Sequence, residues 1–153
     1  MKGVQLFPLR YFEDERGWFV EVRRESGLPE QTVQTNVSFS RKGVIRGLHY
    51  HERGQDDLFA CLVGTARVVV LDRESSEVFT ADIGEDNRVA VYVPGHFAHG
   101  FEALTDLVFC YHVTREYDPD DPDERAVPWD DPRVKHLWST QSPILSERDR
   151  VGS

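Results

Sequence analysis

Short runs of β-branched and aromatic residues recur along this chain, with turn-forming residues between them. The predicted strands cover residues 18–23, 32–38, 44–50, 58–62, 66–71, 78–83, 89–93 and 107–114. Gly, Pro, Asp and Asn punctuate these runs, for example at Pro94-Gly95. Helical periodicity is scarce, although we expect a short helix near residues 26–31. Strands at this regular spacing, without helices between them, predict an all-β, antiparallel sandwich or barrel.

The length and charge of the chain limit its organisation and its partners. Its 153 residues suit one domain, and no internal repeat or low-complexity linker divides residues 1–153. The chain carries 18 basic and 27 acidic residues, a formal net charge of -9. Proteins that bind nucleic acid through phosphate contacts need the opposite sign, so we expect no nucleic-acid partner. An anionic small molecule would require basic residues gathered in a pocket.

Several features predict a cytoplasmic protein without a membrane partner. No apolar run approaches the ~20 residues that a membrane span needs, and the N-terminus lacks the apolar stretch of a signal peptide. Cys61 and Cys110 each lie inside an apolar run, which predicts two buried thiols in strands rather than a disulfide. The acidic segment, residues 117–131, is expected to form a solvated loop.

Four of the six histidines fall in two tight groups. His49 and His51 are two apart on a predicted strand, so both point to the same face. His96 and His99 follow the Pro94-Gly95 turn. Such a cluster suits two chemistries. A neutral histidine poised by a carboxylate can act as a general base, or three imidazoles and a carboxylate can bind a divalent first-row metal.

A series of blocks resembles the dTDP-4-dehydrorhamnose 3,5-epimerase family over nearly the whole chain. The blocks are residues 14–21, 34–38, 44–50 and 93–101, the pair Tyr111-x5-Tyr117, and residues 129–132 and 145–149. The resemblance implies a cupin-type double-stranded β-helix, or jelly roll. It also implies a nucleotide-diphosphate sugar as substrate, no required cofactor, and a homodimer in which N-terminal strands complete the partner's sheet and site.

The resemblance assigns roles residue by residue. His49 matches the general base, Asp149 its dyad carboxylate, and Tyr111 the acid on the other face of the sugar. The positions that line the substrate pocket are Arg16, Gln34, Asn36, Arg46, His99 and Tyr117. The arginines supply the local positive charge that a diphosphate requires. The implied reaction is proton abstraction alpha to the C4 ketone of a dTDP-4-keto-6-deoxyhexose, a 3,5- or 3-epimerisation in deoxysugar biosynthesis.

Three positions depart from the family pattern. Asp57 stands where the family usually has lysine, Val68 where it has aspartate, and His51 where it has glutamine. The lysine helps to hold charge near the C4 ketone during enolisation, and a carboxylate there would repel a developing enolate. His51 and Asp57 are metal-ligand types, and their spacing resembles the metal motif of the wider cupins. The resulting hypothesis is a divalent metal held by His49, His51, Asp57 and His99, acting as a Lewis acid.

Three alternatives therefore stand beside the epimerase. One is a metal-dependent cupin enzyme, an oxygenase or lyase, built on the three-histidine, one-carboxylate site. Another is a nucleotide-sugar 3,4-ketoisomerase, since those cupins use paired histidines in an Arg-Gly-x-His-x-His context. The third is a non-catalytic module that binds nucleotide sugars. The tyrosine pair and residues 145–149 favour the epimerase.

Overall fold

In a computed structural model of the chain, which describes residues 1–151, antiparallel β-strands make up nearly all of the regular structure. The strands are β1 (Gln5–Pro8), β2 (Tyr11–Asp14), β3 (Gly17–Val20), β4 (Gln34–Ser40), β5 (Ile45–Tyr50), β6 (Asp57–Val63), β7 (Thr65–Leu71), β8 (Val78–Gly84), β9 (Val89–Val93), β10 (Ala98–Ala103), β11 (Leu107–Val113) and β12 (Arg125–Ala126). A 3-10 helix at Lys135–Leu137 and helix α1 (Glu147–Val151) follow. The described residues contain no helix with the length and apolarity needed to cross a membrane.

The strands form two five-stranded sheets and a separate hairpin. The first sheet has the order β1-β9-β6-β11-β4, the second has the order β12-β5-β10-β7-β8, and β2 pairs with β3 in a two-stranded hairpin. Phe59 and Phe109 from the first sheet pack in one buried cluster with Val68 and Phe101 from the second. Alternation along each strand sends every second side chain into this core. The predicted all-β, antiparallel jelly roll is confirmed.

Each of the eight predicted strands overlaps an observed one, and the two cysteines are buried free thiols, as predicted. The prediction missed β1, β2, β10 and β12. Strand β10 contains Ala98, Gly100 and Glu102, residues of low strand propensity, yet it lies between β5 and β7. The helix expected near residues 26–31 was wrong: this stretch consists of bends and turns. Gly27 has a φ of 90°, outside the helical region, and Pro29 lacks an amide donor.

The acidic segment is only partly the solvated loop that we expected. Arg125 and Ala126 form β12 and pair with the end of β5. The Asp123 carboxylate accepts hydrogen bonds from the backbone amides of Glu52, at 3.0 Å, and Arg53, at 2.7 Å. These contacts tie the segment to the chain that follows β5. The expectation was therefore wrong for residues 123–126, because Asp123 accepts hydrogen bonds from backbone amides and Arg125 and Ala126 pair with the edge of β5 instead of being solvated.

Candidate active site

A cavity of about 830 Å³ is lined by strands of both sheets, by part of the acidic segment and by residues 144–149. Every predicted site residue except Arg16 lines it. These residues are Gln34, Asn36, Arg46, His49, His51, Asp57, His99, Tyr111, Tyr117 and Asp149. The structure therefore brings together side chains that lie as far apart as position 34 and position 149.

Strand β4 supplies its cavity residues by simple alternation. Gln34, Asn36 and Ser38 line the cavity, whereas the alternating residues Val37 and Phe39 are exposed on the opposite face. The Gln34 amide donates to Asn36 Oδ1 at 3.0 Å, and the backbone amide of Tyr117 donates to Gln34 Oε1 at 2.9 Å. These bonds hold the polar side of β4 in a fixed arrangement toward the cavity.

A bulge in β5 explains how Arg46 and His49 both face the cavity, although they are three residues apart. His49 pairs with His99 and Arg46 pairs with Phe101, so three steps along β5 match two steps along β10. The extra residue rotates one part of the strand relative to the other. Gly47 lies at this bulge with a φ of 126°, and a Cβ there would lie 2.8 Å from Gly100 Cα. The close approach of the two strands thus requires glycine at position 47.

His49 and Asp149 form a close acid–base pair in the cavity. His49 Nε2 lies 2.7 Å from Asp149 Oδ1, and the Gly47 amide donates to Asp149 Oδ2 at 3.3 Å. The Ser146 hydroxyl accepts the Asp149 amide at 3.1 Å, which caps α1 and fixes the position of the carboxylate. Burial alone would raise the pKa of Asp149, but the hydrogen bond and charge of His49 outweigh it and lower that pKa. Asp149 therefore remains an anion that orients the imidazole.

Glu124, which the sequence analysis did not single out, contacts the other nitrogen of His49. Its Oε1 lies 3.3 Å from His49 Nδ1, and its Oε2 lies 2.6 Å from an Arg148 guanidinium nitrogen. Because Asp149 holds Nε2, Nδ1 is the nitrogen that faces the cavity and can accept a proton. Glu124 thus lies beside His49 Nδ1 and pairs with Arg148 at the cavity wall.

Tyr111 faces the cavity from β11, next to Asn36 on β4. Burial raises the pKa of its hydroxyl, and the negative charges of Asp57 and Glu124 act in the same direction, while Arg46 opposes them. The net result is a raised pKa, which keeps the phenol protonated. Tyr111 therefore retains a proton that it can donate to a carbanion in the cavity.

His51, Asp57 and His99 form a second group, with donor atoms all within 4.8 Å of one another. Burial and the nearby His99 charge lower the pKa of His51. Burial would raise the pKa of Asp57 and lower that of His99, but their mutual hydrogen bond reverses both effects, so the Asp57 pKa is lowered and the His99 pKa raised. His49, the fourth residue of the predicted metal set, lies outside this group, since carboxylates of other residues contact both of its nitrogens.

Arg16 is the predicted site residue that the structure leaves outside the cavity. It lies between β2 and β3 with 86% of its side chain exposed, and its guanidinium pairs with Asp14 at 2.6 Å. Arg46, by contrast, lines the cavity and is anchored by the Ser40 hydroxyl at 2.8 Å. Within one chain, Arg46 and Arg148 are therefore the arginines at the cavity wall.

Gln55, Asp123 and Arg148 also line the cavity and were not predicted from the sequence. Asp123 and Glu124 are two of many acids in one run, and nothing in the sequence distinguishes them from their neighbours. Arg148 directly precedes Asp149, and this position next to the predicted dyad is the sequence feature that could have identified it. Gln55 falls between His51 and Asp57 and could have been found in the same way.

Comparison with known proteins identifies the family and agrees with the fold. The model of the dTDP-4-dehydrorhamnose 3,5-epimerase family matches residues 1–153. The spore coat polysaccharide biosynthesis protein SpsL of Bacillus subtilis is 41% identical over 147 residues, which cover 91% of this chain and 97% of that protein. The dTDP-4-dehydrorhamnose 3,5-epimerase of Pseudomonas aeruginosa is 38% identical over 163 aligned positions, covering 97% and 89% of the two chains.

A solved structure extends the likeness to three dimensions. The dTDP-4-dehydrorhamnose 3,5-epimerase of Bacillus anthracis, crystallised with TDP and PPi bound, superposes with a TM-score of 0.87 at 32% identity, covering 99% of this chain and 93% of that one. The likeness spans both sheets and confirms the predicted cupin-type jelly roll. This chain belongs to the dTDP-4-dehydrorhamnose 3,5-epimerase family.

Proposed function

We propose that this protein is an epimerase that acts on a dTDP-4-keto-6-deoxyhexose in deoxysugar biosynthesis. The observation that carries the proposal is the 2.7 Å contact of His49 with Asp149 in a cavity that Tyr111 also lines. A ketone at C4 acidifies the hydrogens at C3 and C5, so a base and an acid on opposite faces suffice to invert either carbon. The proton transfers require no organic cofactor.

In the proposed mechanism, Asp149 accepts the Nε2 hydrogen of His49 and thereby leaves Nδ1 free to take a proton. His49 Nδ1 removes the hydrogen alpha to the ketone, and Asp149 stabilises the imidazolium that forms. Tyr111 then donates its phenolic proton to the opposite face of the carbon. Because substrate must reach Nδ1, the Glu124 carboxylate has to yield its place beside that nitrogen when the sugar binds.

The remaining cavity residues are proposed to bind the nucleotide sugar. Arg46 and Arg148 are the cations that can pair with the diphosphate, since both residues line the cavity. Gln34 and Asn36 on β4, with Tyr117 beside them, offer hydrogen-bond donors and acceptors to the sugar and to the thymine base. His99 faces the same space from β10.

We further propose that residues 1–153 act as one domain, that two chains form a homodimer, and that the protein works in the cytoplasm. Val37 and Phe39 are 64% and 56% exposed on the outer face of the edge strand β4, an apolar surface that a second copy can cover. The hairpin of β2 and β3 carries exposed aromatic residues beside Arg16. In a dimer, this hairpin can bring Arg16 to the partner's cavity. Two unpaired thiols are consistent with a reducing compartment.

Incubation with dTDP-4-keto-6-deoxyglucose in deuterium oxide tests the proposed reaction. We expect the protein to incorporate deuterium at C3 and, if it is a 3,5-epimerase, also at C5. His49→Ala should abolish the exchange, whereas Tyr111→Phe should retain exchange and lose inversion. His136→Ala, at an exposed histidine outside the cavity, is the matched control. Exchange at C3 with movement of the ketone to that carbon would instead indicate a 3,4-ketoisomerase, and tight dTDP binding without any exchange would indicate a binding module.

A further inference from the structure

His51, Asp57 and His99 form a buried group on the cavity wall that the proposed proton transfers do not use. The three residues are 6%, 5% and 4% exposed, and their nearest donor atoms lie within 4.8 Å of one another. They come from three places in the fold: the end of β5, the start of β6 and β10. Two imidazoles and a carboxylate buried at one point need a physical explanation, because polar and charged groups are costly to bury even when they are paired.

The orientation of the two imidazoles is fixed by backbone carbonyl groups. His51 Nδ1 lies 2.5 Å from the Asp123 carbonyl oxygen, and His99 Nδ1 lies 2.8 Å from that of Phe97. A carbonyl oxygen only accepts, so each Nδ1 carries the hydrogen. In the neutral form of either ring, Nε2 then carries a lone pair that can bind a metal. In the structure His51 Nε2 contacts the Gln55 amide at 3.2 Å, and His99 Nε2 lies 3.1 Å from Asp57 Oδ2, so both nitrogens point to the region of the Asp57 carboxylate.

This pattern is the one that metal-binding histidines require. A ligating imidazole binds through one nitrogen, while the other donates its hydrogen to a backbone carbonyl or a carboxylate that fixes the tautomer. Here both rings are held in this way and converge with one carboxylate. Ligands about 2.1 Å from a common ion lie about 3–3.5 Å apart, so binding would draw the group together by about an ångström.

We propose that His51 Nε2, His99 Nε2 and the Asp57 carboxylate bind one divalent first-row transition-metal cation. The side-chain amide of Gln55 now donates to His51 Nε2 at 3.2 Å and to Asp57 Oδ1 at 3.0 Å. Two weakly positive amide hydrogens thus contact two of the three ligand groups. The proton of the 3.1 Å hydrogen bond between His99 Nε2 and Asp57 Oδ2 would leave when the cation binds. His49 is not a ligand, since Asp149 and Glu124 contact its two nitrogens.

The cation also answers a chemical need of the proposed reaction, and this part of the inference depends on that function. Removal of a proton alpha to a ketone puts negative charge on the ketone oxygen, which requires a positive group nearby. Within the described residues, the hydrogens of His51, His99 and Gln55 are already donated to protein acceptors, and Asp57 adds a negative charge. A cation on these ligands would neutralise Asp57 and polarise the ketone as a Lewis acid.

Metal binding is tested on tag-free protein stripped with a chelator and then titrated with Co²⁺, followed by its visible absorption, and with Zn²⁺, followed by calorimetry. We expect one ion per chain. Asp57→Asn and His51→Gln should each weaken the affinity about 10-fold to 100-fold, whereas His136→Gln should leave it unchanged. Weak binding that neither variant alters would place the ions at exposed carboxylates and overturn the inference.

Two further measurements keep the outcome interpretable. X-ray absorption of the Zn²⁺-loaded wild-type protein should show two imidazole ligands, and fewer than two would overturn the site whether or not the variants fold. Deuterium exchange should be at least about 10-fold faster with metal than after stripping, and Asp57→Lys should exchange without metal. Equal exchange in both states would reject the Lewis-acid role and leave the epimerase intact. A two-imidazole site without exchange in either state would reject the epimerase and leave the metal site intact.

Discussion

Asp149 combines a chemical and a structural contact at the scale of one residue. Its carboxylate bonds to His49 Nε2 and to the Gly47 amide, and therefore joins helix α1 to the bulge in β5. The low pKa of this carboxylate, which His49 maintains, means that the folded protein binds fewer protons at this position than the unfolded chain does. Protonation of Asp149 should therefore weaken both the dyad and the attachment of α1.

Asp149→Asn should reduce the exchange rate about 100-fold to 10,000-fold, because the imidazole loses the anion that stabilises its protonated form. The loss of a charged hydrogen bond should also lower the melting temperature by about 5 °C at pH 7. The stabilisation by Asp149 is complete above the ordinary aspartate pKa of about 4 and is lost as the pH falls through its lower folded value.

The difference in melting temperature between wild type and Asp149→Asn should therefore shrink as the pH falls from 5 to about 3. Differential scanning calorimetry at several pH values measures this difference. A difference that stays constant over that range would contradict a native carboxylate with a lowered pKa. Asp130→Asn, at an exposed acidic residue outside the cavity, serves as the control.

Residues of the site that lie in sequence motifs could be predicted, whereas residues brought to the site only by contacts across the fold could not. His49, Tyr111 and Asp149 lie in motifs whose residue types and order identify them. Glu124 lies in an acidic run where every carboxylate has the same local context, and only the fold brings it to 3.3 Å from His49. Contacts made across the fold leave no periodic signal in the sequence.

At the scale of single elements, the bulge in β5 decides which side chains reach the cavity. The extra residue lets Arg46 and His49 face the same space, and Gly47 permits the close approach of β10 at that point. The sequence predicted that His49 and His51 share one face of a strand, and both residues do line the cavity. The prediction gave no indication of a bulge. It also missed β10, whose small residues suit close packing better than they indicate a strand.

Gly47→Ala should destabilise the protein by about 2–5 kcal/mol, because a side chain there combines an unfavourable φ with a Cβ only 2.8 Å from Gly100 Cα. Gly54→Ala is the matched control, since its φ is also positive, at 89°, but nothing lies within 4 Å of its Cβ. We expect the control to lose about 1 kcal/mol. Urea unfolding compares the two, and equal losses would show that the strand contact is not tight.

At the scale of the whole molecule, the outer face of β4 and its neighbours offers a surface for a second copy. Phe39, Val108 and Val63 form one row across β4, β11 and β6, and Val37 lies beside this row on β4. Val63 is 43% exposed, less than the two apolar residues of β4. A contiguous apolar surface on a sheet that ends in an open edge strand favours association over exposure to water.

Phe39→Glu should convert the proposed dimer to monomers, because a charge on this surface would be buried without a partner. Thr80→Glu introduces the same charge at an exposed position on β8, the edge strand of the second sheet, and should leave the dimer intact. Sedimentation velocity of the two variants measures the difference. A dimer that withstands Phe39→Glu would place the interface elsewhere.

The exposed position of Arg16 leads to a test of whether two chains share one active site. If Arg16 serves the partner's cavity, Arg16→Ala and His49→Ala each inactivate their own homodimer. A heterodimer of the two variants still has one cavity with its own His49 and the partner's Arg16. Random mixing makes half of the dimers mixed, with one working cavity each, so about a quarter of wild-type exchange activity should return.

The corresponding control mixes His49→Ala with Asp149→Asn, two residues of the same cavity, and should restore no activity beyond that of the Asp149→Asn protein alone. If Arg16 instead acted within its own chain, every mixed cavity would lack one of the two residues, and mixing would restore nothing in either pair. Co-expression with two different affinity tags, followed by tag removal, isolates the mixed dimers, in which about half of wild-type activity is expected because one of the two cavities works. Their activity decides between a site built by one chain and a site built by two chains. Because Arg16 lies on an exposed hairpin outside its own cavity, we expect the site to be shared.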